Sequence, residues 1–270
     1  MDKKNSNNAT KIKYMKISVI IPCYNSEQNI IRVLLSIFSQ TLAVHEVIVI
    51  DDGSTDQSYQ LILNFKEQHN ITNLKLVKQT NAGPASARNH GITLAEGDWI
   101  AFLDSDDIWD TSKIEIQQKY LLQNPHIILL GESLKKNKTA QIIQTISFNQ
   151  LLLKNYFITS SVLVRKDILP NPPFDFNKKY SEDYKLWLEI CHQHSCAILN
   201  IPLVKYSQNS NNLNNSPQNL SSKLWKMEKG ELENLRYCYQ KRYINFFDWI
   251  ILSVFSLVKY LRRLILKYIK

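Results

Sequence analysis

Ile17-Ser-Val-Ile-Ile-Pro-Cys-Tyr-Asn25 begins as a β-branched run and breaks at Pro22, which predicts a short buried strand and a turn. Asn25 or Ser26 can cap a following helix, in which Ile30, Val33, Leu34, Ile37 and Phe38 fall on one face. The alternation then repeats. His45 to Ile50 is a second strand, stopped by Asp51-Asp52-Gly53-Ser54, and a helix from about Asp56 carries Leu61, Ile62 and Phe65 on one side. Leu74 to Val77 is a third strand, and Asn81-Ala-Gly-Pro84 turns into a helix running to Ala95, with Pro84 in its first turn. Trp99 to Leu103 is a fourth strand, giving way to Asp104-Ser-Asp-Asp107. This β-α-β-α-β-α-β order implies an α/β fold with a largely parallel, doubly wound sheet. Ligands of such sheets collect beyond the carboxyl ends of the strands. Tyr24-Asn25, Asp51-Asp52 and the Asp104/Asp106/Asp107 group all stand there.

Beyond Asp110 the pattern loosens. A helix from about Thr111 to Gln123, a strand at His126 to Leu130, an apolar run from Ile158 to Val164 and a helix from Asp183 to His194 are the readable elements. Lys135 to Lys138 is a polar loop, and residues 207–222, rich in Asn and Ser, read as a mobile loop or linker.

A chain of 270 residues, 44% apolar and 21% charged, suffices for one large α/β domain and an appendage. Its net charge of +9 sits at the two ends. Residues 223–270 carry eleven Lys/Arg against four Asp/Glu, residues 1–16 carry five against one, and the centre is close to neutral. A nucleic-acid protein would place its charge on the folded module, so no nucleic-acid partner is expected. The four cysteines have no CxxC or metal spacing and read as buried thiols of a reduced, cytoplasmic compartment; the first residues lack the apolar run of a secretory leader. With only 6 Gly and no GxGxxG after the first strand, a glycine cradle for pyrophosphate is scarcely available, and a nicotinamide dehydrogenase is disfavoured.

Asp104 and Asp106 at a strand end are hard oxygen ligands suited to Mn²⁺ or Mg²⁺, which would bridge the phosphate oxygens of a nucleotide. Asp107 adds a third acid, and such crowding is costly unless a cation joins it. Taken alone, the same string also suits a solvated turn before the Thr111 helix.

Residues Ile17 to Tyr120 resemble the family-2 glycosyltransferases, enzymes of the GT-A fold. The matching strings are Ser18-Val-Ile-Ile-Pro-Cys-Tyr-Asn25, Val49-Ile-Asp-Asp-Gly-Ser-Thr-Asp56, Asn81-Ala-Gly-Pro-Ala-Ser-Ala-Arg-Asn89 and Phe102-Leu-Asp-Ser-Asp-Asp107, with a weaker fifth at Ser181-Glu-Asp-Tyr-Lys-Leu-Trp187. The resemblance implies a Rossmann-like, mostly parallel mixed sheet flanked by helices, with a C-terminal helical extension. It implies a UDP-sugar donor, with Pro22 and Tyr24 at the base, Asp52 accepting from the pyrimidine N3–H, and Glu27 near the ribose or merely favouring the first helical turn. Arg88 would reach base or diphosphate, or form a surface salt bridge. Asp104 would lie near ribose and metal, and Asp106 would be the firmest metal ligand. Asp183 resembles the catalytic base of an inverting transfer, Glu182 being the lesser candidate. Trp109 and Trp187 would pack on acceptor sugars or in the core. Where the family often has an aromatic-Arg-x-His string, this chain has Tyr206-Ser-Gln-Asn209, without the Arg and His.

The expected organisation is a flexible basic tail over 1–16, a catalytic domain over 17–206 divided near 110 into nucleotide and acceptor halves, the 207–222 loop, and a basic amphipathic helical region over 223–270. The run between Asp248 and Lys259 is too short to span a bilayer core of about 30 Å. Aromatics crowd its start, and Arg262, Arg263, Lys267 and Lys270 crowd its end. That composition suits a helix lying on the inner leaflet of the cytoplasmic membrane, or one packed on the domain or a second copy. The acceptor is expected to be a saccharide or lipid-linked saccharide of the cell envelope. A polyprenyl phosphate is an alternative acceptor, and a non-catalytic nucleotide-sugar-binding module an alternative function.

Overall fold

The computed structural model describes residues 15–134, 141–178, 180–206 and 217–268. Its elements are β1 (Ile17–Cys23), α1 (Ile30–Phe38), β2 (Glu46–Asp51), α2 (Ser58–Gln68), β3 (Leu74–Lys78), α3 (Pro84–Leu94), β4 (Trp99–Phe102), β5 (Ile108–Trp109), α4 (Lys113–Gln123), β6 (Ile127–Glu132), β7 (Ile143–Ile146), α5 (Phe148–Leu153), β8 (Leu163–Arg165), α6 (Glu182–Gln193), β9 (Ser195–Leu199), β10 (Val204–Lys205), α7 (Pro217–Gln240) and α8 (Phe246–Tyr268).

Eight strands form one sheet in the order β3-β2-β1-β4-β8-β6-β9-β7. The pairs β3–β2, β2–β1, β1–β4 and β6–β9 are parallel, whereas β8 runs antiparallel between β4 and β6, and β7 antiparallel to β9. β10 pairs with β5 in a separate two-stranded ribbon. The sheet is thus mixed and mostly parallel, flanked by helices, with a helical C-terminal part.

Period-two alternation sorts the strand side chains into two apolar layers. Ile20, Ile48, Ile50, Ile100 and Phe102 pack with α3, α5 and α6, while Val19, Ile21, Val47, Val49 and Ala101 pack with α1, α2 and α4. Every residue of β1 and β2 is buried. Strands covered on both faces read as continuous apolar runs, as these do. At about 25 cal/mol per Å² of apolar surface removed from water, each buried Ile or Phe contributes roughly 1.5–3 kcal/mol.

The expected 207–222 loop is shorter than its composition suggested, because α7 already begins at Pro217. Proline lacks an N–H that a first helical turn would leave unpaired anyway, so it starts the helix at no cost. Residues 207–216 with Asn209, Lys135–Lys138 and residues 1–14 lie outside the described residues.

Candidate active site

Strand geometry brings four loops to one end of the sheet. After β1 the chain turns through Asn25, whose φ of 47° is left-handed, a conformation that asparagine tolerates better than most residues. Its N–H donates to Ser54 Oγ at 3.0 Å, and its Oδ1 accepts from Thr55 N at 2.9 Å. Ser26 continues the cross-link, its N–H donating to Ser58 Oγ at 2.7 Å and its hydroxyl sharing a 2.6 Å bond with Ser105 Oγ. The loop after β1 is therefore sewn to both acidic turns.

These loops enclose a cleft of about 670 Å³ lined by Pro22, Tyr24, Asp52, Arg88, Asp104 and Asp106, among others. A larger hollow of about 830 Å³ lies among Met15, Trp99, Leu122 and Arg165, at the other end of the sheet, where none of these residues reaches. The 670 Å³ cleft, beyond the carboxyl ends of the parallel strands, gathers the candidate chemistry.

Tyr24 is half exposed there, presenting an aromatic face. Asp52 is buried, and its carboxylate already accepts from Ala82 N at 2.9 Å, Gly83 N at 2.8 Å and Gln79 Nε2 at 2.7 Å. A carboxylate has about four acceptor positions, so about one remains. Gly53, at φ 73°, permits this approach, since a Cβ there would meet Asn81 N at 3.0 Å. Its neighbour Asp51 points away, fully buried, with neither oxygen hydrogen-bonded. Glu27 is exposed outside the cleft lining and accepts from Gln57 N at 3.0 Å, the position that supports the start of α2.

Arg88 is buried rather than on the surface. It donates to Asp104 Oδ1 at 2.8 Å and to Glu182 Oε1 at 3.1 Å, with its guanidinium 5.4 Å from the centre of the Phe174 ring. One cation thus joins Asp104, just past β4, to the first turn of α6. The two carboxyls at that turn respond alike. Desolvation raises the Glu182 and Asp183 proton affinities above the ordinary range, and Arg88 opposes the rise in both. Asp183 Oδ2 accepts from Thr159 Oγ1 at 2.9 Å. Asp106 is exposed at the mouth, where partial desolvation and then the Asp104 charge raise its proton affinity.

A 3₁₀ turn, Thr159–Ser161, lies beneath both groups and escaped the sequence reading, which took Ile158 to Val164 as one apolar run. Ser160 Oγ accepts from Asp104 N at 3.1 Å and donates to Asp107 Oδ2 at 2.6 Å. Three consecutive hydroxyls in an otherwise apolar segment were the available signal. Neither tryptophan faces the cleft. Trp109 is buried and donates its indole N–H to the Ser160 carbonyl at 2.8 Å, while Trp187 packs fully buried with Phe102 and Phe174. Both belong to the core.

Among the described residues no three His, Cys, Asp or Glu side chains stand ready to hold a metal. Of the three carboxylates that line the cleft, Asp52 is largely taken up by its own hydrogen bonds, which leaves Asp104, shared with Arg88, and Asp106. A hard divalent cation held by one or two carboxylates takes its remaining ligands from water and substrate phosphates. These two fit that incomplete donor set.

Comparison with known proteins agrees with this architecture. S. aureus TarS, residues 1–349 in complex with UDP, superimposes with a TM-score of 0.59 and 25% identity, over 81% of this chain and 65% of that one. The mannosyltransferase PcManGT of Pyrobaculum calidifontis, in complex with GDP-Man and Mn²⁺, shares the fold with a TM-score of 0.65 at 18% identity, over 85% of this chain and 66% of that one. The UDP-Glc:alpha-D-GlcNAc-diphosphoundecaprenol beta-1,3-glucosyltransferase WfgD of Escherichia coli is 33% identical across 84% of this chain and 92% of its own length. Residues 18–166 match glycosyl transferase family 2. The chain belongs to that family and is a glycosyltransferase.

Proposed function

We propose that the enzyme moves a sugar from a UDP-sugar to a saccharide or lipid-linked saccharide acceptor in cell-envelope glycan synthesis, with inversion at the anomeric carbon. The observation that carries this is the convergence of an aromatic face, a buried guanidinium and three acids on one cleft at the carboxyl ends of the parallel strands. The donor and acceptor classes are those named for the E. coli relative, which this chain matches over most of both lengths.

In this scheme the Tyr24 ring stacks on uracil above Pro22, and the remaining acceptor position of Asp52 takes the N3–H. Asp104 and Asp106 hold Mn²⁺ or Mg²⁺, which when bound neutralises charge on the diphosphate. Arg88, itself neutralised by Asp104 and Glu182, positions these acids rather than reaching far into the cleft. Asp183 takes the proton from the acceptor hydroxyl as its oxygen bonds to the anomeric carbon; the bond from that carbon to the diphosphate breaks, and UDP departs from the opposite face. A carboxyl whose proton affinity is raised by desolvation suits this role, since a stronger base transfers the proton more readily near neutral pH.

A panel of UDP-sugars screened for Mn²⁺-dependent hydrolysis, followed by transfer to diphosphate-lipid-linked N-acetylglucosamine, tests the proposal. Asp183→Asn should keep UDP binding and lose about 10²–10⁴-fold in kcat. Full turnover in that variant would remove Asp183 from the chemistry.

A further inference from the structure

Phe247, Ile251, Val254, Val258, Leu261 and Ile265 of α8 are each more than half exposed. Their spacings of four and three residues place them on one helix face, about 27 Å long at 1.5 Å per residue. Ile250, Phe255 and Leu266 widen the same surface, each at least 43% exposed. The other side is spoken for: Ser256 is buried, Tyr260 packs on Trp225, and Trp249 stacks on Tyr239 of α7. A continuous apolar face of this size is uncommon on a protein surrounded by water alone.

The charges around it are sorted. Arg263 reaches inward to Glu228 at 2.7 Å and Glu231 at 3.6 Å, and Lys259 lies 3.8 Å from Glu231. Arg263 therefore faces α7, contrary to its expected place in a cationic belt; Lys267 and Lys270 have no described side chains. Glu233 is held by Lys178 at 3.2 Å. These internal pairs occupy three of the hairpin's four acids. The exposed Lys226, Lys229, Arg236, Lys241, Arg242 and Arg262 have no acidic partner among the described residues. What remains outside is an apolar face accompanied almost wholly by cations.

We propose that α8 seats the enzyme on an anionic lipid interface, its Phe247–Ile265 face at the boundary between headgroups and acyl chains and the free cations of the hairpin on lipid phosphates. Interfacial helices combine apolar burial with attraction to anionic lipid in this manner. A second copy is a poorer occupant, because it would bring together two hairpins of the same cationic surface with few free acids to meet them. No helix among the described residues is long and apolar enough to cross a membrane.

The seat is joined rigidly to the active site. Lys259 Nζ donates to the Leu153 carbonyl at 2.8 Å, tying α8 to α5. At Gly230 of α7 an added Cβ would stand 2.8 Å from the Tyr180 carbonyl oxygen, so only glycine permits this approach. Asn234 Nδ2 donates to the Ser181 carbonyl at 3.0 Å, and Lys178 Nζ to the Gly230 carbonyl at 3.0 Å. Ser181, left-handed at φ 58°, leads directly into Glu182 and Asp183. The hairpin thereby sets the height of Asp183 above the lipid surface, a consequence that rests on Asp183 being the base as proposed above.

The test uses the full chain and its Ile251→Glu/Val258→Glu variant, both positions being exposed, with vesicles of phosphatidylcholine alone or mixed with phosphatidylglycerol. Wild type should sediment with the anionic vesicles at least about tenfold more strongly than with the neutral ones, and less so at high salt. The variant should lose that binding by more than about tenfold while retaining its thermal midpoint and UDP binding. Transfer to a lipid-linked acceptor in vesicles should fall in the variant while transfer to a water-soluble analogue does not. UDP binding reports separately on the donor site, so failure there leaves the vesicle result standing. Absence of vesicle binding in wild type, equal binding by the variant, or a dimer that the two substitutions dissociate would overturn the proposal.

Discussion

Arg88→Met replaces a buried guanidinium with an apolar chain of similar length that still packs against Phe174. The Arg88 side chain is 6% exposed, with Glu182 at 13% and Asp104 at 34%. Removing one partner of a buried pair costs about 3–5 kcal/mol. The Asp104 arm is a third open to water, which screens it towards the ~0–1 kcal/mol of a surface pair, so most of the loss falls on Glu182. A net loss of about 3 kcal/mol follows, which for a chain of this size lowers Tm by roughly 6–12 °C. The pH dependence has a definite sign. Burial already raises the folded-state proton affinities of Glu182 and Asp183, and Arg88 restrains them. Without it both carboxyls stay protonated to higher pH. A raised carboxyl contributes stability at low pH that is lost as pH climbs through its folded value, so the variant's deficit should be smallest in acid and widen upward. With Asp183 as the proposed base, the acid limb of kcat/KM should move to higher pH, and Arg88→Lys, keeping charge without the two-armed fork, should fall between. Thermal melts and rate profiles across pH provide the measurements. A Tm within about 2 °C of wild type, or an acid limb moving downward, would refute the reasoning.

Tyr24→Ala removes a half-exposed ring and should leave Tm nearly unchanged while weakening UDP binding by about 0.5–1.5 kcal/mol in titration calorimetry, a loss of up to about tenfold. Asp106→Asn should abolish the Mn²⁺-dependent part of UDP binding, measured by thermal shift with and without chelator, and should lower kcat by about 10²–10³-fold. Burial pushes Glu132 up to about 7 and Lys113 down to about 8, and Glu132 Oε2 has no hydrogen-bond partner. Lys113→Met should therefore cost about 1–3 kcal/mol in denaturant unfolding, least below pH 7 where Glu132 holds its proton, whereas Lys113→Met/Glu132→Gln should recover to within about 1 kcal/mol of wild type.

The stretch from β1 to β4 was legible because its central strands lie between helices. β1, β2 and β4 read as nearly continuous apolar runs that stop at polar turns, so Ile17, Glu46 and Trp99 begin strands close to where the runs begin. The chain beyond β4 lacks that contrast. β5 and β10 are two residues each, too short for any period, and β9 follows α6 after only His194. α7 starts inside an Asn/Ser-rich stretch because Pro217 opens a helix that tertiary packing sustains.

The site divides along the same physical line. Motif spacing placed Pro22, Tyr24, Asp52, Asp104 and Asp106 at strand ends and Arg88 near the start of a helix, and all six line one cleft. What spacing does not reveal is which polar groups satisfy one another. Asp52 spends three acceptor positions on the loop between β3 and α3, Trp109 turns its indole to a buried carbonyl, and Arg88 finds Glu182, 94 positions away. The Thr159–Ser161 turn is the decisive case. Thr159 holds Asp183, and Ser160 holds the Asp104 backbone and the Asp107 carboxylate, so one turn supports both the strand-end acids and the proposed base. The buried Arg88 ties the same two groups from the other side. The strand-end loop after β4 and the first turn of α6 therefore form one hydrogen-bonded unit, and a substitution at Ser160 should disturb donor binding and proton transfer together. Separate half-domains joined only by apolar packing would let either function be altered alone.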